Sequence, residues 1–223
     1  RLDAVNAELA WSSLTAGKPV FSQLDILSPH LSMARDGAGN LSIAGLPLQQ
    51  TDEDSGFGDW LLRQQNILIR NAELDWRDDL RHAPPLLLKQ VSLSLKNNGD
   101  THTFTLSGVP APELGGKLSA EGTLTVPALE STRDWSGKVS LTLPGYNLAL
   151  WQQWLPLPVA ISQGHATVKS QLTFKPRQPV AINADLTLTQ LIAASGAELP
   201  LLATQQSKLH LEGSFNSGKA QLS

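Results

Sequence analysis

Apolar residues recur at every second position along most of this chain. Leu93 and Leu95 flank Ser94, Phe104 and Leu106 flank Thr105, and Leu124 and Val126 flank Thr125. The same spacing holds for Ile67 and Ile69, Leu74 and Trp76, Leu86 and Leu88, and Val91 and Leu93. A period of two puts alternate side chains on opposite faces of a strand. The chain therefore reads as a long β surface with one apolar face and one face of Ser, Thr, Lys, Gln and Asn. The question of function becomes what the apolar face touches.

Bulk properties remove several function classes. Charged residues make up 17% of the 223, and the net charge is -3 with no long basic run. That composition carries no nucleic-acid footprint, and no nucleic acid is expected as a partner. The absence of cysteine excludes thiol catalysis, thiolate metal sites and disulfides. No apolar run approaches the roughly 20 residues of a membrane span. The chain begins at Arg1 with neither an initiator Met nor a signal peptide, and it ends on the alternating Lys219-Ala220-Gln221-Leu222. It reads as a segment cut from a longer sheet.

Three stretches organise it. Residues 1–50 read as a β-hairpin repeat unit, with arms at 31–35 and 41–44 joined by Asp36-Gly37-Ala38-Gly39-Asn40. Residues 51–58 read as an acidic linker containing Asp52, Glu53 and Asp54. Residues 59–223 continue as β repeats, with short helices near 59–65, capped by Asp59, and near 147–154. The apolar parity flips at Arg70-Asn71 and again at Lys89-Gln90, and each flip calls for a bulge or tight turn. Pro84-Pro85 opens a strand, and Asn97-Asn98-Gly99-Asp100 is a strong hairpin turn. Gly116-Lys117, Gly137-Lys138 and Gly218-Lys219 each open a strand, with Gly164-His165 much the same, which gives a degenerate internal repeat. Strands from about residue 101 to 213 complete a set of roughly 14 to 16, which at about 4.8 Å each would extend some 65 to 75 Å.

A search for catalytic chemistry returns little. His30, His82, His102, His165 and His210 share no metal-ligand spacing and read as surface or strand-edge histidines. Neither a nucleophile elbow nor a phosphate-cradling loop is present. Asp75, Asp78 and Asp79 beside Trp76 could be imagined as a glycosidase pair, but they read as solvated acids. Residues 36–40 lack the further acids of a calcium loop. The tryptophans, Trp60, Trp151 and Trp154 among them, read as fillers of corners where a helix meets a sheet. No catalytic residue, metal site or cofactor is expected, and the chain reads as a non-enzyme.

One stretch carries a resemblance. Phe57-Gly58-Asp59-Trp60-Leu61-Leu62-Arg63-Gln64-Gln65 leads into Ile67, Ile69, Ala72, Leu74, Trp76 and Asp78, then Ala83-Pro84-Pro85-Leu86 with Leu88, then the hairpin at 97–100. This pattern resembles the YhdP branch of the AsmA-like proteins of Gram-negative bacteria. The similarity spans nearly the whole chain and is most specific over residues 57–126. The resemblance implies a mainly β fold: a long, curved, mostly antiparallel sheet forming an open apolar groove, with one or two short helices. It implies a periplasmic protein tethered to the inner membrane by a helix absent from this segment. It further implies a bridge that shields phospholipid acyl chains between the inner and outer membranes, with both membranes as partners of the full-length protein. The groove lining would then be Ile67, Ile69, Leu74, Trp76, Leu86, Leu88, Val91, Leu93, Leu95, Phe104 and Leu106. Leu118, Leu124, Val126, Val139, Leu141, Leu143, Val168, Leu172, Phe174, Leu186 and Leu188 would continue it.

Periodicity by itself fits a closed sandwich or barrel equally well, since an alternating sheet normally buries its apolar face against another sheet. Two other functions stay open on the sequence: a periplasmic scaffold that binds other chains at sheet edges, and a carbohydrate-binding sandwich that uses exposed tryptophans.

Overall fold

The computed structural model describes residues 3–11, 13, 19–47, 57–127, 134–155, 159–194, 202–216 and 219–222. Five strands come first: β1 (Ala4–Leu9), β2 (Phe21–Leu27), β3 (His30–Arg35), β4 (Leu41–Ile43) and β5 (Leu46–Pro47). Helix α1 (Phe57–Arg63) follows, then β6 (Asn66–Asp78), β7 (Ala83–Asn98), β8 (Thr101–Val109), β9 (Leu118–Thr125) and β10 (Ser136–Asn147). Helix α2 (Leu148–Trp151) precedes β11 (Ala160–Phe174), β12 (Val180–Ala194), β13 (Leu202–Asn216) and β14 (Lys219–Leu222).

These fourteen strands form one open sheet. From β6 to β14 each strand pairs antiparallel with the next, which is the expected outcome of short turns between alternating segments. The N-terminal part forks: β2 and β3 both run parallel to β6, with β1 beyond β2 and β4–β5 beyond β3. The sheet is mixed for that reason. Its longest path counts twelve strands, about 53 Å at about 4.8 Å per strand, shorter than a single file of all strands would give. No second sheet packs on it among the described residues, so the closed sandwich does not form.

Cross-strand register carries the alternation across the sheet. Leu24, Ile67, Leu95, Phe104, Gly122, Val139, Leu172 and Ile182 are successive partners on eight strands. The next apolar row runs Val5, Ile26, Ile69, Leu93, Leu106, Ala120, Leu141, Ser170, Ala184 and Leu211. Between them lies a polar row, including Ser94, Thr105, Glu121, Ser140, Gln171, Asn183 and Glu212, on the other face.

A line of irregularities creases the sheet. Register shifts fall between Ile69 and Ala72, Lys89 and Ser92, Leu143 and Tyr146, and around Gln163. Asn71, Gln90 and Gln190 take φ values near +50°, and Ser28 does so at the break between β2 and β3. The two parity flips legible in the sequence are thus members of a longer series. At each, two successive residues such as Arg70-Asn71 or Lys89-Gln90 leave the apolar face, and the strand bends there.

Several local expectations change. Helix α1 begins at Phe57, so Asp59 lies inside it and does not cap it. Helix α2 is one turn, capped by Asn147, whose Oδ1 accepts from the Leu150 amide at 3.3 Å. Strands β10 to β13 run 12 to 15 residues, longer than their apolar runs, because the bulges let pairing continue through each parity flip. The acidic residues at 52–54 lie outside the described residues. The loop at 36–40 is a plain turn: Asp36 Oδ1 accepts from the Ala38 and Asn40 amides, and Oδ2 accepts from Asn40 Nδ2. Those bonds hold the Asp36 carboxyl below its ordinary range, the Asn40 side chain contributing most.

Candidate functional site: a creased apolar floor with two covers

The apolar face divides into covered and uncovered parts. A seven-residue helix has no stability of its own in water, so α1 is held by what it docks on. Trp60, Leu61 and Leu62 pack on Leu24, Ile67 and Leu95, which are 8%, 1% and 7% exposed. Phe21 meets Trp60 edge-on at 6.5 Å between ring centroids. Each such apolar side chain contributes about 1.5–3 kcal/mol when fully buried.

Polar side chains fix the docking. Gln64 is fully buried, and its Oε1 accepts from the Phe21 amide at 2.8 Å. Asn97 Nδ2 donates to the carbonyls of Leu61 and Gln64 at the C-terminal end of α1, at 3.1 and 2.6 Å. The last carbonyls of a helix lack full intrahelical partners, and the Leu61 carbonyl otherwise accepts only from the Gln64 amide, at 3.3 Å. His102 stands behind Asn97 and is 5% exposed. It is therefore neither a surface nor an edge histidine, and burial pushes its pKa down. Its parity with Phe104 and Leu106 was the sequence signal for this.

The second cover lies at the opposite strand ends. Leu148 and Val159 pack on Ile161, Leu191 and Ala193. Gln152 clamps Ile161 through both backbone groups, accepting from its amide at 2.8 Å and donating to its carbonyl at 2.6 Å. Trp151 Nε1 donates to the Leu114 carbonyl at 3.0 Å and Trp154 Nε1 to the Pro84 carbonyl at 2.8 Å. Arg81 Nη1 donates to the Trp154 carbonyl at 2.8 Å. The segment at 148–155 thus straps the β10–β11 connection to the start of β7. Tyr146, Trp151 and Trp154 of this region meet as successive tilted ring pairs, at centroid separations of 5.1 and 5.4 Å. The Tyr146 hydroxyl is buried without a hydrogen-bond partner among the described residues, and burial raises its pKa to about 12. These tryptophans do fill corners between helix and sheet.

The proposed lining residues fall across this floor. Ile67, Leu86, Val91, Leu95 and Val126 are buried, and the others are half-buried. Ile69, Leu93, Phe104, Leu106, Val139, Leu141 and Leu172 lie in the two long rows. Leu143, Val168 and Leu186 form a third row that ends on Leu209, itself 45% exposed. Leu74, Trp76, Leu86, Leu88 and Val91 pair across β6 and β7 beyond the crease, and Leu118 pairs with Gly108. Leu124 and Phe174 flank Gly137 at the α1 end, next to His102. Leu188 packs against the cluster under α2.

Among the described residues reactive groups do not converge. Asp78 is 4% exposed and paired with Arg35, its cross-strand neighbour in the parallel β3–β6 pair, so it is not a solvated acid. That guanidinium holds its carboxyl below the ordinary range. Asp75 instead meets His30 at 2.7 Å on the solvated face. His210 sits between Asp185 and Glu212 on the same face, at 2.8 and 3.3 Å. No group of three potential ligands is placed to hold a metal among the described residues. A depression of about 400 Å³ is lined by Ser94, Thr105, Glu121, Ser140 and Arg70 together with Ile69, Leu93, Leu106 and Ala120 of the second apolar row. No helix of the described residues is long and apolar enough to cross a membrane.

A family model described as YhdP protein matches residues 1–218. Curated proteins and solved structures give no match to the chain.

Proposed function

The chain belongs to the YhdP family, and on that premise we propose that it is a non-enzymatic segment of a periplasmic lipid-transport bridge. In this reading the full-length protein is tethered to the inner membrane and leads phospholipid to the outer membrane. The observation that carries it is an apolar floor left uncovered among the described residues, whose rows continue from strand to strand with half-buried aliphatic side chains. An apolar face left without a protein layer calls for another apolar partner, and acyl chains supply one.

The energetics favour such a floor. An acyl chain entering water costs about 0.8 kcal/mol per CH₂. A chain of about 16 carbons therefore faces a barrier on the order of 12 kcal/mol. Continuous rows such as Leu93–Leu106 and Leu141 remove most of that cost without a deep pocket that would stall passage. The headgroup stays in water along the open side.

The test is lipid extraction. The chain, purified under lipid-retaining conditions and extracted for mass spectrometry, is expected to yield phospholipid. Repeated clean extracts would overturn the proposal.

A further inference from the structure

The two covers are offset. Helix α1 sits where β2 and β6 start and β7 ends, over Leu24, Ile67 and Leu95. The α2 strap sits at the opposite strand ends, over Ile161, Leu191 and Ala193 on β11 and β12. Each cover is pinned by buried or shared polar groups: Gln64 and Asn97 for α1, and Gln152, Trp151 and Trp154 for the strap. Leu24, Ile67 and Leu95 are buried beneath α1, and Ile161, Leu191 and Ala193 beneath the strap. Between the covers a run of half-buried aliphatic side chains follows a course oblique to the strands, with Ala72, Val91 and Ala184 buried beside it. It starts beyond the crease at Leu74 and Leu88, crosses it to Leu93 and Leu106, and reaches Leu141 and Leu172 on the α1 side.

We infer that a phospholipid acyl chain lies in a diagonal lane between the two covers. The lane rests on the conduit proposed above and narrows it to one path. A chain running straight along the first apolar row would have to displace Trp60, Leu61 and Leu62 from Ile67 and Leu95. One running along the far ends of the strands would have to displace Leu148 from Ile161. The lane needs neither movement.

Site-specific photocrosslinking tests this. Benzoylphenylalanine is placed singly at Leu88, Leu106 and Leu172 in the lane, and at Leu61 and Leu148 on the inner sides of the covers. Each purified chain is irradiated with vesicles of phosphatidylethanolamine and phosphatidylglycerol and weighed intact. Lipid adducts are expected at the three lane positions, with loss of them at Leu61 and Leu148, whose photoproducts join cover to sheet. Equal lipid labelling at all five would overturn the lane and leave the conduit standing. No lipid adduct at any position, in chains that retain their thermal transition, would overturn the conduit itself. Leu93 and Leu141 serve as second lane positions for any variant that fails to fold.

Discussion

Asn97 accepts the Nδ1 proton of His102 across 2.8 Å, at the strand ends where α1 docks. The direction follows from the rest of the Asn97 amide. Its Nδ2 is spent on the Leu61 and Gln64 carbonyls, so its Oδ1 is left to accept. One side chain thereby ties a histidine on β8 to the end of a helix more than thirty residues earlier.

Asn97→Ala removes all three bonds: the Gln64 carbonyl and the imidazole Nδ1 lose their Asn97 partner, and the Leu61 carbonyl keeps only the Gln64 amide at 3.3 Å. The expected loss is about 3 kcal/mol, since a buried group left unsatisfied costs about 1–3 kcal/mol. Urea unfolding measures it. A loss under about 1 kcal/mol would mean that apolar packing alone holds α1.

His102 makes stability depend on pH. Burial lowers its pKa below the ordinary 6.5, with the Asp100 charge partly opposing. The unfolded chain therefore binds the proton more readily than the folded one. The stabilising contribution is complete above pH 6.5 and is lost as pH falls from there toward the lowered folded value. His210 has the opposite sign: Asp185, then Glu212, raise its pKa, so its contribution is complete below 6.5 and is lost as pH rises through the folded value. The difference between wild type and His102→Gln isolates the first effect. The thermal midpoint of the wild type should fall relative to the variant on acidification below pH 6.5, and parallel profiles would count against the assignment.

Gly137 and Gly145 separate two demands on a glycine. Gly137 takes φ +137°, and a Cβ there would overlap the Thr123 carbonyl of the neighbouring strand. Gly145 takes φ +64° with open space around it. Gly145→Ala should cost about 1 kcal/mol for the left-handed backbone alone. Gly137→Ala should cost several-fold more, because β9 and β10 must part to admit the methyl group. Thermal unfolding of the pair checks this, and equal losses would show that the close approach has no energetic weight.

Local sequence carried the sheet and its first two bends. Alternation places Leu93, Leu95, Phe104 and Leu106 on one face, and the doubled polar residues at Arg70-Asn71 and Lys89-Gln90 mark where the strands bend. The bend at Thr189-Gln190 has the same doubled polar pair, whereas the one at Pro144-Gly145 is a Pro-Gly pair that reads locally as the end of a strand. The parallel pairing of β3 with β6 has no local signal, and Asp78 looks solvated until that pairing brings Arg35 beside it. The covers are equally non-local. Gln64, Asn97 and Phe21 come from three separate stretches, and only the folded sheet aligns them.

Placing the same charge at two positions on the apolar face distinguishes a floor from a core. Leu95 is 7% exposed under α1, and a carboxylate there has neither water nor a partner. Leu95→Asp should therefore cost several kcal/mol, on the order of the cost of burying an unpaired charge, and most of the thermal transition should be lost. Leu141 is half-buried on the uncovered floor, opposite Ala120 and Ser170. A carboxylate there remains hydrated, and the expected cost is about 1–2 kcal/mol of lost apolar contact. The Leu141→Asp chain should fold and yet return much less phospholipid on extraction than wild type. If Leu141→Asp instead unfolds as Leu95→Asp does, the floor is a closed core and acyl chains have no place on it.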